Sequence, residues 1–353
     1  MSFLDIKGSP LGIGVQLPAR EPEGADVHSR KDMKAMTTTL PPIDVLPERR
    51  TPAGLKLFER ASADLAEHYK EFGFALLANA LHPDEVFDVN ADALRLCRGD
   101  FGQIKYGLWN PENGDESPAD VARSGTDEEL LRRYLCIHFP HKVSAAAQRA
   151  LHNPRIVEAL TAVIGPNVKA MQSMLFIKSE GKPGQAWHQD EYFIPTRDRS
   201  LAAVWIALDD AIVENGCLWV LPGSHQRGVL YPTHEQSDPR FDCTVEAYAF
   251  PYRDEDALPV EIPTGTALIF SGYLLHRSLE NSGRHGYRRA LANHYMSAES
   301  LLPWRPPREG EHMGIVDYRD IVLVAGEDPY GYKGTEEIAK PYSRPDKDGG
   351  CHR

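Results

Sequence analysis

The segment "GKPGQAWHQDEYFIP" (residues 181–195) sets His188 and Asp190 two positions apart, an imidazole and a carboxylate of the kind that hold a divalent metal. A His-x-Asp triplet is weak by itself, because about one is expected by chance in a chain of this length. The chain carries a second one, His82-Pro83-Asp84, in "LHPDEVFDVNADALRLC". There, proline and two acids ahead of Val86, Phe87, Val89, Ala93 and Leu94 read as the start of a helix. That triplet is assigned a structural role. His188-Gln189-Asp190 has to be weighed by its company.

Residues two apart in a strand point to the same side, so 188 and 190 at a strand end deliver two ligands to one ion. An iron site of the facial-triad type needs two imidazoles and one carboxylate, with positions left for a cosubstrate and dioxygen. The second imidazole must return from far along the chain. "GYLLHRSLENSGRHGYRRAL" offers His276 at the end of an apolar strand, and Arg288 opening the next one. An arginine beside such an ion has a specific use, since its planar fork grips the far carboxylate of a dicarboxylate. On the residues alone, His225, His234, His285 and His294 compete with His276 as the third ligand.

The elements that must position these groups fall into two textures. Residues 1–50 carry Gly, Pro and scattered charge without a period and read as an irregular arm. A helix is expected over 52–72, stopped by Gly73 before the apolar strand "FALLANA", with further helices at about 84–98, 127–136 and 143–163. From Val168 the chain turns to short strands: "VKAMQSMLFIKSE", two strands around Asn215-Gly216, "TALIFSGYLLH" and "YRRALANHYMSA". The expectation is a mainly β fold with flanking helices and a double-stranded β-helix (jelly roll, cupin-like) core. One domain would run over 51–345, with a helical layer at about 52–163, the core at about 168–300, an extension at about 301–345 and a tail at 346–353.

Composition narrows the partners. A hydrophobic content of 42% in 353 residues is ample for a packed core. The net charge of −12, from 39 basic and 51 acidic residues, argues against nucleic acid or an anionic membrane as the main partner. Cys97, Cys136, Cys217, Cys243 and Cys351 are odd in number and widely spaced, which fits neither a disulfide framework nor a zinc ribbon and points to a reducing, cytoplasmic setting. No apolar run is long enough to span a membrane. A small-molecule substrate and a monomer or homodimer are the default.

Five segments, "IGPNVKAMQSMLFIK", "WHQD", "VWIALDDAIVENGCLWVLPGSH", "GTALIFSGYLLHRSLEN" and "YRRAL", occur in the order and spacing of one family. Over 164–295 the chain resembles the phytanoyl-CoA dioxygenase family of iron- and 2-oxoglutarate-dependent oxygenases. The resemblance implies Fe(II) ligands at His188, Asp190 and His276, and 2-oxoglutarate held by Arg288 and Ser278. It further implies a cosubstrate pocket lined by Trp205 and Gln172. Arg289 is expected to face away, because neighbours alternate across a strand.

The implied chemistry consumes 2-oxoglutarate and O2, releases succinate and carbon dioxide, and hydroxylates an unactivated C–H bond. Relatives that halogenate have a small residue where Asp190 stands here, so hydroxylation is favoured over halogenation, while desaturation, epoxidation and ring closure use the same triad and stay open as alternatives. An acyl-CoA substrate would call for a dense basic cluster, which the sequence lacks, so a free small molecule is the expectation. Two other classes remain. A zinc hydrolase uses two imidazoles, a carboxylate and water but has no need of Arg288 and Ser278. A non-catalytic cupin-like binding protein is expected to lose a ligand, and all three are present.

Overall fold

Alternation along a handful of strands sorts the apolar side chains into two layers, one on each face of a large sheet. The computed structural model describes residues 49–101, 105–106, 125–242, 245–300, 322–333 and 341–345. All of them belong to the unit Pro47–Arg353. Most of the irregular arm, residues 301–321 and 334–340 of the C-terminal extension, and the tail lie outside the described residues.

The large sheet runs in the order Arg49–Arg50, Lys56–Phe58, Phe74–Leu77, Ala267–Ser271, Ala202–Ala207, Arg288–Ser297, Val168–Lys178, Tyr134–His138, Tyr342–Pro345 and Lys105–Tyr106. The Val322–Ala325 strand pairs additionally with Val168–Lys178. A smaller sheet has the order Leu258–Val260, Leu218–Val220, His276–Ser278 and Gln185–His188. These two facing sheets form the jelly roll, and the helices cover the other side of the large one.

In the Ala202–Ala207 strand, Ala202, Val204 and Ile206 pack with Leu65, Val86, Leu96, Ile156 and Leu160 from the helices. Ala203, Trp205 and Ala207 point the other way, joining Leu218, Val220, Val260, Phe270, Ala290 and Ala292 between the sheets. That division is the period-two pattern read as three-dimensional structure. Each fully buried Leu, Ile or Val stabilises the fold by about 1.5–3 kcal/mol, so the helix-side layer is the main anchor for the strands that carry the site. Tyr295 ties the layers further, its hydroxyl donating to the Leu151 carbonyl at 3.0 Å.

The structure departs from the sequence-based expectation at five places, the first being that "TALIFSGYLLH", read as one strand ending at His276, divides into Ala267–Ser271 of the large sheet and His276–Ser278 of the small one. The helix expected from 52 begins only at Ala63, where the Ser62 hydroxyl accepts from the Leu65 N–H. Upstream, Leu55 and Leu57 alternate with polar neighbours, and Lys56–Phe58 becomes a strand pairing parallel with Phe74–Leu77. The helix expected over 127–136 ends at Arg132, because Tyr134–His138 pairs with Val168–Lys178 and sheet pairing overrides local preference. The stretch 143–163 splits into Ala145–Leu151 and Pro154–Val163. Asn153 caps the second helix from Arg155 and Ile156, with Pro154 at its first turn. Finally, Ala202–Ala207 and Leu218–Val220 do not form a hairpin, since the Asn215-Gly216 turn carries the chain from one sheet to the other.

Tyr342–Pro345 pairs with Tyr134–His138, and the Tyr342 ring stacks on His138 at 4.2 Å.

Candidate metal centre

His188 ends the Gln185–His188 strand, and its cross-strand neighbour in the small sheet is His276. The two imidazoles therefore meet with ring centroids 4.0 Å apart. Asp190 lies just past the strand, at the start of the short helical turn Asp190–Phe193. The side chains of 188 and 190 still share a side because Gln189 between them is extended. Gln189 is held by three bonds: its amide nitrogen donates to the carbonyls of Val229 and Tyr273, and its carbonyl oxygen accepts from Tyr231 N–H.

An Asp190 carboxylate oxygen lies 3.7 Å from His188 Nε2 and 3.6 Å from His276 Nε2. One ligand atom from each residue falls within 4.8 Å of the others, and no other such cluster occurs among the described residues. Each ring has its other nitrogen committed: His188 Nδ1 donates to the Ala186 carbonyl at 2.7 Å and His276 Nδ1 to that of Leu274 at 3.0 Å. This fixes the tautomer and leaves both Nε2 lone pairs facing Asp190. Burial pushes the His188 pKa down to about 3, so its imidazole is neutral and able to ligate near neutrality. Burial pushes the Asp190 carboxyl up, but His276, His294 and His188 outweigh it and hold it below the ordinary carboxylate range. The donor set, two imidazoles and one carboxylate, fits a divalent metal with open positions.

The large sheet supplies the opposite wall. Arg288 begins its strand directly across from Lys178 in register, and Ala290 and Ala292 share its inward face. The guanidinium is 3% exposed, stands over the Trp205 ring at 5.3 Å and donates from Nε to the Gly216 carbonyl at 3.2 Å. Its Nη1 has no hydrogen-bond partner among the described residues. Burial lowers the Arg288 pKa to about 10, which still leaves it charged. A buried guanidinium with an unused donor is what a ligand carboxylate requires. Ser278 is buried, and its Oγ accepts from Lys178 Nζ and from Gln185 N–H, both at 3.1 Å, so its own proton is available to donate. Trp205 pairs across strands with Ala292, and buried Gln172 with His294. Arg289 points outward into a two-pronged ion pair with Asp209, at 2.9 and 2.6 Å.

Of the competing histidines, His225 accompanies the Lys70 carbonyl, His234 lies by Glu246 and His285 is exposed. His82 precedes the helix Pro83–Arg98 and gives its backbone N–H to Glu85. Sequence reasoning missed two residues. His294 is no third ligand in this geometry; its Nε2 donates to the second oxygen of Asp190 at 3.1 Å. Lys178 reaches Ser278 from the large sheet. The signal for His294 was its parity, since 288, 290, 292 and 294 share one strand face.

The phytanoyl-CoA dioxygenase family model matches residues 69–290, more than half of the chain, including His188, Asp190, His276, Ser278 and Arg288. The chain belongs to the phytanoyl-CoA dioxygenase family. Among curated relatives, peroxisomal phytanoyl-CoA dioxygenase of Rattus norvegicus is 28% identical over 293 residues, 77% of this chain and 78% of the relative. Phytanoyl-CoA dioxygenase domain-containing protein 1 of Danio rerio is 30% identical over 174 residues, 48% of this chain. In that match and the Arabidopsis thaliana and Oryza sativa ones, the chain spans about half of the relative's length, 58%, 42% and 45%. The fold is shared with the non-heme monooxygenase ThoJ, at a TM-score of 0.55 and 22% identity over 75% of this chain and 85% of that one. It is shared likewise with the non-heme alpha ketoglutarate dependent carbocyclase SnoK from nogalamycin biosynthesis, at 0.52 and 20% identity over 78% and 100%.

Proposed function

We propose that this protein is an Fe(II)- and 2-oxoglutarate-dependent dioxygenase that hydroxylates an unactivated C–H bond of a small molecule. The observation that carries this reading is a His188-Asp190-His276 donor set at the end of the small sheet together with, on the large sheet, a buried Arg288 whose Nη1 has no partner among the described residues. When bound, Fe(II) with 2-oxoglutarate and O2 supplies the oxidising power, and the cosubstrate leaves as succinate and carbon dioxide.

The chain's own part is orientation. His188 and His276 turn their Nε2 atoms toward Asp190 because the Ala186 and Leu274 carbonyls hold the opposite nitrogens. Asp190 offers one oxygen toward them while His294 occupies the other, which favours one-pronged ligation and keeps positions open for cosubstrate and dioxygen. Arg288 and the Ser278 hydroxyl take the cosubstrate's far carboxylate, and the Trp205 ring beneath Arg288 keeps water from that end. Gln172, across from His294, lines the same wall.

Domain boundaries at 51–345, a free small-molecule substrate and a monomer or homodimer complete the reading. Cys97, Cys136 and Cys217 are free and buried, which agrees with a reducing compartment such as the cytoplasm. A zinc hydrolase would leave buried Arg288 without a purpose, and a mere binding module would leave the ordered imidazole tautomers without one. The test is anaerobic addition of 2-oxoglutarate to the Fe(II)-loaded protein, followed by a metabolite screen for succinate release. A visible charge-transfer band and substrate-dependent succinate are expected; iron-loaded protein showing neither overturns the reading.

A further inference from the structure

The strand pair that carries Arg288 brings a second cation to the same place. Lys178 is 6% exposed, and its Nζ crosses to the small sheet, donating to Ser278 Oγ at 3.1 Å and to the Leu279 carbonyl at 2.5 Å. Neither Lys178 nor Arg288 has a carboxylate within ion-pair distance among the described residues. The acids that sense them are engaged or exposed: Asp209 is gripped by Arg289, Asp242 by Arg344, and Glu280 faces solvent. Two register-paired, buried cations with no counter-ion are costly unless an anion is to be placed between them.

The surroundings make room for that anion. Gly216 turns at φ 81°, and its carbonyl receives the Arg288 Nε–H. A Cβ there would stand 3.0 Å from Lys178 Nζ and 2.5 Å from the Leu279 carbonyl, so a side chain would drive into the space beside both cations. Burial, and next to it the charge of Arg288, pushes the Lys178 ammonium well below its ordinary range, which a bound carboxylate would relieve.

We propose that Lys178 is a further cosubstrate-binding residue, forming with Arg288 a two-cation clamp whose ligand is the carboxylate of 2-oxoglutarate farthest from the metal. The inference rests on the oxygenase reading of this site and adds to it a charge requirement. Lys178 also holds Ser278 as an acceptor, so the serine proton is turned toward the same carboxylate. The clamp selects cosubstrates by their second negative charge. A 2-oxo acid of similar size without that carboxylate gains nothing from Lys178.

The experiment compares 2-oxoglutarate with 2-oxobutyrate, by calorimetric binding to Co(II)-loaded protein, in the wild type, Lys178→Met and Lys178→Arg. Lys178→Met is expected to weaken 2-oxoglutarate by on the order of tenfold or more, the scale of a lost charge-assisted contact, and leave 2-oxobutyrate within about threefold. Lys178→Arg is expected to keep the wild-type preference. A purely structural role would weaken both acids alike, and that result, or an unchanged preference in Lys178→Met, overturns the proposal. Wild-type protein that binds neither acid would instead sink the oxygenase reading. Should Lys178→Met not fold, NMR of wild-type protein labelled with ¹⁵N-lysine decides. A buried ammonium resonance must shift with 2-oxoglutarate and stay put with 2-oxobutyrate, and the reverse rejects the clamp.

Discussion

The chain contains two His-x-Asp triplets, and the structure gives them opposite fates. His82-Pro83-Asp84 lies on the surface, where proline starts the helix Pro83–Arg98 and the two residues flanking it face solvent. His188-Gln189-Asp190 closes a strand with His188 and Gln189 buried and Asp190 partly so, and both imidazole nitrogens and both carboxylate oxygens face defined neighbours. Composition does not separate the two. Backbone conformation does: extended Gln189 sets its flanking side chains on one side, whereas proline as the middle residue leads into a helical turn. Burial then decides chemistry, because a desolvated imidazole stays neutral and ready to ligate.

Substitutions break this comparison in graded fashion. His188→Ala should have the largest effect, lowering metal affinity by more than about 100-fold, beyond what the loss of an outer partner costs. Metal content after dialysis against Co(II) measures it, and a stoichiometrically loaded variant would remove His188 from the centre. Arg288→Ala should weaken 2-oxoglutarate binding by about 2–4 kcal/mol while leaving metal content unchanged, since it removes a buried charge-assisted contact. Titration of the metal-loaded variant reads this directly, and parallel losses of metal and cosubstrate would merge the two sites into one structural effect.

His294→Ala should lower metal affinity by about 10–100-fold, the range for an outer-shell partner. His294→Asn, which still offers an N–H to Asp190, should recover part of it in the same measurement. Equal losses in both variants would show that packing rather than the 3.1 Å hydrogen bond matters. The smallest effect belongs to His82→Ala. Metal binding should be unaffected and stability should change by no more than about 0.5 kcal/mol in a denaturant titration, as for an exposed surface position. A loss of metal there would erase the distinction between the triplets.

Much of the site was legible because strand parity is a local property. Arg288 with Ala290 and Ala292 on one face, Arg289 on the other, and the Gly73 helix stop follow from spacing and backbone chemistry alone. What parity cannot supply is the partner across a sheet. Lys178 looks like the charged end of an apolar strand until register places it opposite Arg288, and Ser278 meets it from another sheet. His294 was visible as a histidine but not as the partner of Asp190, 104 residues away. The strands Lys56–Phe58 and Tyr134–His138 were misread for the same reason, since their identity comes from pairing with neighbours distant in sequence.

By itself, the sequence determined the β-rich class, the family pattern and which residue types were available to bind a metal and a carboxylate. Periodicity and residue chemistry are written in neighbouring positions. The tertiary structure alone decided which histidine stands across from His188, which oxygen of Asp190 is already occupied, and that Lys178 and Arg288, both buried, stand opposite each other in strand register. Those depend on strand register and on removal of water, and both arise only when segments a hundred residues apart are packed together.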